Sequence, residues 1–151
     1  VSGAAIDVFP QEPKKRSTEF ESVLRGMPNV ILTPHVGGST LEAQENIGRY
    51  VAGKFADYEF EGSTSMSVNM PEIATTPLKY RRILHLHHNV PGVMAAFNRI
   101  LANSDLNIGA QSLATKDDIG YAVTDVEGAP EEGMIEQLAS IDGTIKVRVL
   151  P

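Results

Sequence analysis

Two residues far apart in the sequence carry the first chemistry. Glu12 lies in Phe9-Pro10-Gln11-Glu12-Pro13, and His35 lies in Leu32-Thr33-Pro34-His35-Val36-Gly37-Gly38. An imidazole titrates near neutral pH, so it takes or gives a proton under working conditions. A carboxylate behind it fixes the tautomer and stabilises the imidazolium. Gly37 and Gly38 let backbone approach a ligand closely. Asp7 stands near the end of a short apolar run, where it meets a ligand's polar edge. A second group, His85, His87 and His88, precedes Asn89-Val90-Pro91-Gly92. On a strand, His85 and His87 share one face about 7 Å apart. Taken singly, His35 and Glu12 read as solvated surface groups. The strand histidines read as exposed rather than metal-ligating, because no third ligand and no cysteine stands nearby, and no metal is expected.

The elements that must position these residues follow from local pattern. Gly3 to Phe9 is apolar, short and without alternation, which predicts a buried parallel strand. Residues 10–28 read as a loop with a helical turn near Glu19–Arg25. Asn29–Leu32 is a second strand, ended by Thr33-Pro34 because proline cannot donate to a ladder. Loops at the carboxyl ends of adjacent parallel strands meet at one crevice, which brings Glu12 towards His35. Ser39-Thr40-Leu41-Glu42 has capping-box spacing. It opens a helix whose apolar stripe is Leu41, Ile47, Val51, Phe55 and Tyr58, and Glu61-Gly62-Ser63 ends it. Met66–Asn69 reads as a short extended piece and Pro71–Tyr80 as an interdomain linker.

From Arg81 the pattern changes. A strand at Ile83–His88 leads through Pro91-Gly92 into a helix over 92–103, with Val93, Phe97, Ile100 and Leu101 as its apolar face. Strands at Leu106–Thr115 and Gly120–Val126 flank the turn Lys116-Asp117-Asp118. A helix begins at Pro130-Glu131-Glu132 and buries Met134, Ile135, Leu138 and Ile141. Gly143 stops it before a last strand, Thr144–Leu150. The order βαββαβ predicts a four-stranded antiparallel sheet with both helices on one face, the ferredoxin-like plan.

Composition bounds the rest. At 151 residues, 42% hydrophobic and 21% charged, the chain suits one ordinary globular domain or two small ones. A net charge of −6 argues against nucleic acid or an anionic membrane as partner. Lys14-Lys15-Arg16 and Arg81-Arg82 are short enough to read as solvated surface. The absence of cysteine excludes disulfides and thiolate metal sites and fits a reducing compartment. No apolar run approaches the ~20 residues of a membrane helix.

The pattern A-x-D-V-F-x-x-E-P, followed by N-V-x-L-T-P-H, resembles the D-isomer-specific 2-hydroxyacid dehydrogenases. By that resemblance His35 is the acid–base group and Glu12 its partner. Asp7, Val36, Gly37 and Gly38 then line the nicotinamide site of an NAD cofactor. The βαββαβ module with its N-x-P-G turn resembles the ACT domains, which bind amino acids and regulate biosynthetic enzymes. The two joined together resemble the dehydrogenases that oxidise 3-phosphoglycerate to 3-phosphohydroxypyruvate in serine synthesis. This implies residues 1–70 as the end of Rossmann-type α/β cofactor and substrate domains, 71–80 as linker and 81–151 as an ACT domain. It implies serine as effector, held by His87 and Asn89 of one subunit and Asn107 of its neighbour, in a cytoplasmic homo-oligomer paired through ACT domains. Relatives place Gly-Gly ahead of Arg81-Arg82, where this chain has Lys79-Tyr80, which bears on hinge flexibility. No G-x-G-x-x-G occurs in the sequence, and the family's substrate arginine is expected upstream of Val1. The chain is therefore expected to be a C-terminal fragment, inactive alone. Three other readings stay open. One is an amino-acid-binding regulatory module with an inert dehydrogenase-like start. Another is a related dehydrogenase for a different 2-hydroxy acid, and the third is an interaction protein that uses the ACT face without ligand.

Overall fold

The computed structural model describes residues 1–13 and 19–151, so the Lys14-Lys15-Arg16 cluster lies outside the described residues. Two compact units are present, Val1–Val51 and Ala52–Pro151.

In the first unit, β1 (Ala4–Ile6) pairs in parallel with β2 (Val30–Leu32), in the register Ala4↔Val30, Ala5↔Ile31 and Ile6↔Leu32. The Thr33 N–H donates to Ile6 O at 3.0 Å, and Pro34 then ends the ladder. Between the strands the chain makes turns at Ser22–Met27, closed by Arg25 N–H to Ser22 O at 3.2 Å. Phe20 packs edge-on against Phe9 with ring centroids 4.7 Å apart.

Helix α1 (Leu41–Glu61) begins in this unit and runs past its boundary. Thr40, not Ser39, caps it: Thr40 Oγ1 accepts from the Ala43 N–H at 3.0 Å. The Ser39 hydroxyl instead donates to His35 O at 2.9 Å. The expected apolar stripe forms, yet no residue of α1 is buried, and Leu41 and Phe55 are 92% and 70% exposed. Gly62, at φ 72, supplies the left-handed stop, and a Cβ there would collide with the Leu84 side chain.

The second unit contains β3 (Arg81–His88), α2 (Val93–Ala102), β4 (Asn107–Lys116), β5 (Ile119–Glu127), α3 (Glu132–Ala139) and β6 (Thr144–Leu150). The sheet order is β4-β5-β3-β6 with every neighbour antiparallel, the ferredoxin-like plan. Asp117 and Asp118 alone join β4 to β5, and Asp117 takes the positive φ (53°) of such a tight turn. Alternation along β3 splits the core in two. Ile83 packs with Phe97, Leu101, Val126, Met134 and Leu138 on the helix side. Leu84 packs with Ile73, Tyr121, Val123 and Leu150 on the opposite face.

That second face is covered by the stretch expected to be an extended piece and a linker. Residues 66–69 run from a turn into a bend, with Met66 at φ 67, and form no strand. Pro71 and Ile73 are buried. The Thr64 hydroxyl orders the segment: it donates to Pro71 O at 2.7 Å and accepts from the Ile73 N–H at 2.8 Å. Residues 71–73 therefore belong to the body of this unit, and compactness divides the chain at Val51/Ala52.

Candidate functional site

β1 and β2 deliver their carboxyl ends side by side, so Asp7 and the loop through Glu12 face the loop through His35. His35 Nδ1 lies 2.9 Å from Glu12 Oε2. Carboxylate oxygen only accepts, so Nδ1–H donates and Nε2 is left with its lone pair. Glu12 is held in turn, because its Oε1 accepts from the Phe9 N–H at 3.0 Å. The hydrogen bond to Glu12, reinforced by its charge, raises the His35 pKa above the ordinary imidazole value. The same bond, with the Phe9 amide, lowers the Glu12 pKa.

Asp7 meets three donors of the His35 loop. Its Oδ1 accepts from Thr33 Oγ1 at 2.6 Å and from the Val36 N–H at 3.1 Å, and its Oδ2 accepts from the Gly37 N–H at 2.9 Å. These bonds, the Thr33 hydroxyl first, hold its pKa below the usual carboxylate range. Gly38 offers its carbonyl to the Gln44 amide. Asp7, Glu12, His35, Val36 and Gly37 are thus one hydrogen-bonded cluster. Thr33 and Ser39, expected as a strand end and a helix cap, also join this cluster, and adjacency is their signal: a hydroxyl two residues before the histidine and another four after it.

In the second unit His85 and His87 are buried, correcting their expected exposure, and their ring centroids lie 4.9 Å apart. His85 stacks on Phe97 at 4.9 Å and 11°. The Thr144 hydroxyl donates to Leu138 O at 3.2 Å and therefore accepts from His85 Nε2–H at 2.8 Å, leaving Nδ1 with no partner. Burial, with the neighbouring His87 second, pushes the His85 pKa down to about 4. His87 Nδ1–H donates to His88 O at 2.8 Å, and its buried Nε2 has no partner.

Asn89 sits against the β4–β5 turn: its N–H donates to Asp118 O at 2.8 Å and its side-chain amide to Asp117 O at 3.3 Å. Asn107 opens β4 at the other end and donates to Glu127 at 3.3 Å. At about 3.3 Å per residue, the length of β4 separates it from the Asn89 end by roughly 30 Å. One copy of the chain therefore does not bring Asn89 and Asn107 together. Among the described residues no group of three or more His, Cys, Asp or Glu is placed to hold a metal ion, and no helix is long and apolar enough to cross a membrane.

Comparison with known proteins fits this division. Residues 1–37 match the family described as D-isomer specific 2-hydroxyacid dehydrogenase, NAD binding domain. Residues 83–146 match the AHAS small subunit-like ACT domain. The chain is thus similar at its start to an NAD-binding dehydrogenase domain and, over its ferredoxin-like unit, to an ACT domain. Over almost its whole length it is similar to the C-terminal part of D-3-phosphoglycerate dehydrogenases. Identity is 52% over 151 residues with the Haemophilus influenzae protein, covering 99% of this chain and 37% of that one. It is 48% over 152 residues with the Escherichia coli protein, with the same coverage. The chain spans little more than a third of the length of these relatives. Among solved structures, the ACT domain of a GTP pyrophosphokinase from Chlorobium tepidum aligns with 47% of this chain and 97% of its own, at 17% identity and TM-score 0.42.

Proposed function

We propose that this chain is the C-terminal part of a cytoplasmic NAD-dependent dehydrogenase that oxidises 3-phosphoglycerate to 3-phosphohydroxypyruvate, with serine as its effector. The observation that carries the catalytic half is the 2.9 Å contact between His35 Nδ1 and Glu12 Oε2. It leaves Nε2 to take the proton of the substrate hydroxyl, and the carboxylate stabilises the imidazolium that results. NAD, when bound, supplies the acceptor for the hydride leaving the same carbon. The residues present suit its nicotinamide end. Three of the roughly four acceptor positions of Asp7 are filled, which leaves one on Oδ2 for a carboxamide N–H. The backbone of Val36, Gly37 and Gly38 lines the approach. No phosphate-cradling G-x-G-x-x-G stands in the sequence, so the chain by itself turns over no NAD.

The regulatory half rests on the ACT unit. β4 is an edge strand, exposed along almost its whole length. Two copies paired antiparallel along that edge bring His87 and Asn89 of one against Asn107 of the partner subunit, closing the gap that a single copy leaves. A serine bridging the two copies then restrains domain movement.

The test uses the full-length dehydrogenase. His35→Ala lowers kcat for 3-phosphoglycerate oxidation by about 10²–10⁴. Glu12→Gln moves the acid limb of the pH profile downward, because the partner that raises the His35 pKa is gone. Turnover within tenfold of wild type for His35→Ala would end the acid–base reading. Calorimetric titration of serine into the 151-residue chain tests the effector: binding heat is expected with wild type and lost in Asn89→Ala. No heat with wild type, or unchanged binding by Asn89→Ala, removes serine.

A further inference from the structure

We infer that Asp7 is a positioning residue: its carboxylate brackets the His35 loop and keeps the ring on Glu12. This rests on the acid–base reading of His35 and adds the device that sets its geometry. His35 is at φ 53, a left-handed conformation that a non-glycine residue adopts rarely and only when its surroundings impose it. The surroundings are specific. Thr33, two residues before, and Val36 and Gly37, one and two residues after, all donate to the one Asp7 carboxylate. The His35 carbonyl is fixed by the Ser39 hydroxyl. A Cβ on Gly37 would fall 3.0 Å from Asp7 Oδ2, so the loop closes tightly on the carboxylate and glycine permits it.

The arrangement is economical in the fold. Asp7 follows the last residue of β1, and its donors follow the last residue of β2, so parallel pairing of two three-residue strands places the whole clamp. Asparagine is a poor substitute. It keeps one acceptor oxygen and turns an NH₂ towards a backbone donor. Glutamate keeps the charge but drives it one methylene further into a loop already in contact. Asp7 therefore acts on His35 through backbone geometry, and its charge alone does not suffice.

Nuclear magnetic resonance of the 151-residue chain, following the His35 ring through a pH titration, tests this. Glu12→Gln lowers the His35 midpoint towards the ordinary imidazole value. Asp7→Asn lowers it by a comparable amount, and the double variant falls below Glu12→Gln alone only by the small further shift that loss of the Asp7 charge gives. Asp7→Glu does not restore the wild-type midpoint. Thr33→Val, a milder change that keeps every charge, shifts it in the same direction. The Val36 and Gly37 amides lose protection from exchange in Asp7→Asn, while the signals of residues 81–150 stay in place and show the chain folded. Additive shifts, or recovery of the midpoint by Asp7→Glu, would mean that Asp7 acts only as a charge and would overturn the clamp, leaving the acid–base pair intact. An unchanged midpoint in Glu12→Gln would overturn both.

Discussion

Arg82 is the side chain whose loss the second unit should feel most. It is 2% exposed, on β3, directly opposite Asp125 of β5 in the register. Its Nε and Nη2 donate to the two oxygens of Asp125 at 2.5 and 2.8 Å, a bidentate fork that only arginine makes. Its Nη1 donates to Glu61 O at 2.8 Å and Thr76 O at 3.1 Å, which ties the end of α1 and the covering segment to the sheet. Arg82→Met keeps the apolar stem but leaves a largely buried carboxylate without its partner, at a cost of about 3–5 kcal/mol. In a unit of roughly 100 residues each kcal/mol moves the melting temperature by about 4–8 °C, so Tm falls by about 12–40 °C. Pairing Arg82→Met with Asp125→Leu removes the orphaned charge. It recovers the part of the loss that comes from the orphaned charge and leaves about 1–3 kcal/mol for each of the two carbonyls that lost a donor. Differential scanning calorimetry of the four proteins reads this directly. A fall below about 5 °C for Arg82→Met, or a double variant no better than the single, refutes the reasoning.

Gly120→Ala drives a methyl into the His87 ring, which lies over the glycine, and should cost about 1–3 kcal/mol in urea unfolding. His85→Gln, which keeps a donor for Thr144 without a titrating ring, should flatten the acid limb of stability. With a native pKa near 4 against about 6.5 unfolded, the unfolded chain binds the extra proton in that interval. Wild-type Tm should therefore drop as pH falls from 6.5 towards 4 more steeply than that of His85→Gln.

The second unit was legible because β3 and β6 alternate in residue type and its helices carry clean stripes: Phe97 and Leu101 on α2, Met134 and Leu138 on α3. The side of β3 that stays polar was misread. A strand with leucine on one face and histidine on the other suggests one wet face, yet both faces are covered. His85 is received by Phe97 and by Thr144, 59 residues away, and no local pattern encodes that partnership. The covering segment was opaque for a related reason. It has no periodicity, and its order comes from Thr64 bonding backbone at Pro71 and Ile73. Ser39 and Thr40 are equally good caps by type. In the structure Thr40 accepts from the Ala43 N–H, while the Ser39 hydroxyl reaches back to His35 O. In the first unit, the rule that neighbouring parallel strands end at one crevice was enough to bring Glu12 and His35 into one neighbourhood. The role of Thr33 and the left-handed backbone at His35 follow only from atoms in place.

His35 and His85 show how position divides one residue type into opposite instruments. His35 is exposed and faces a carboxylate, so its folded pKa is raised. The stability it contributes is full below the ordinary imidazole value and is lost as pH rises through the raised one. Glu12, with its pKa lowered, contributes above its ordinary value and loses that contribution as pH falls, so the pair is intact across the interval between. His85 is sealed between Phe97 and β6 with a neutral ring, so its contribution runs the other way and disappears on acidification. Mild acid therefore preserves the ion pair of the first unit while it loosens the second. An imidazole beside a carboxylate at a strand end is set to exchange protons. An imidazole stacked on phenylalanine and tied to a threonine hydroxyl is set to stay neutral and hold shape. The two are separated by burial and partner, which is why histidine content alone says nothing about where a chain does acid–base chemistry.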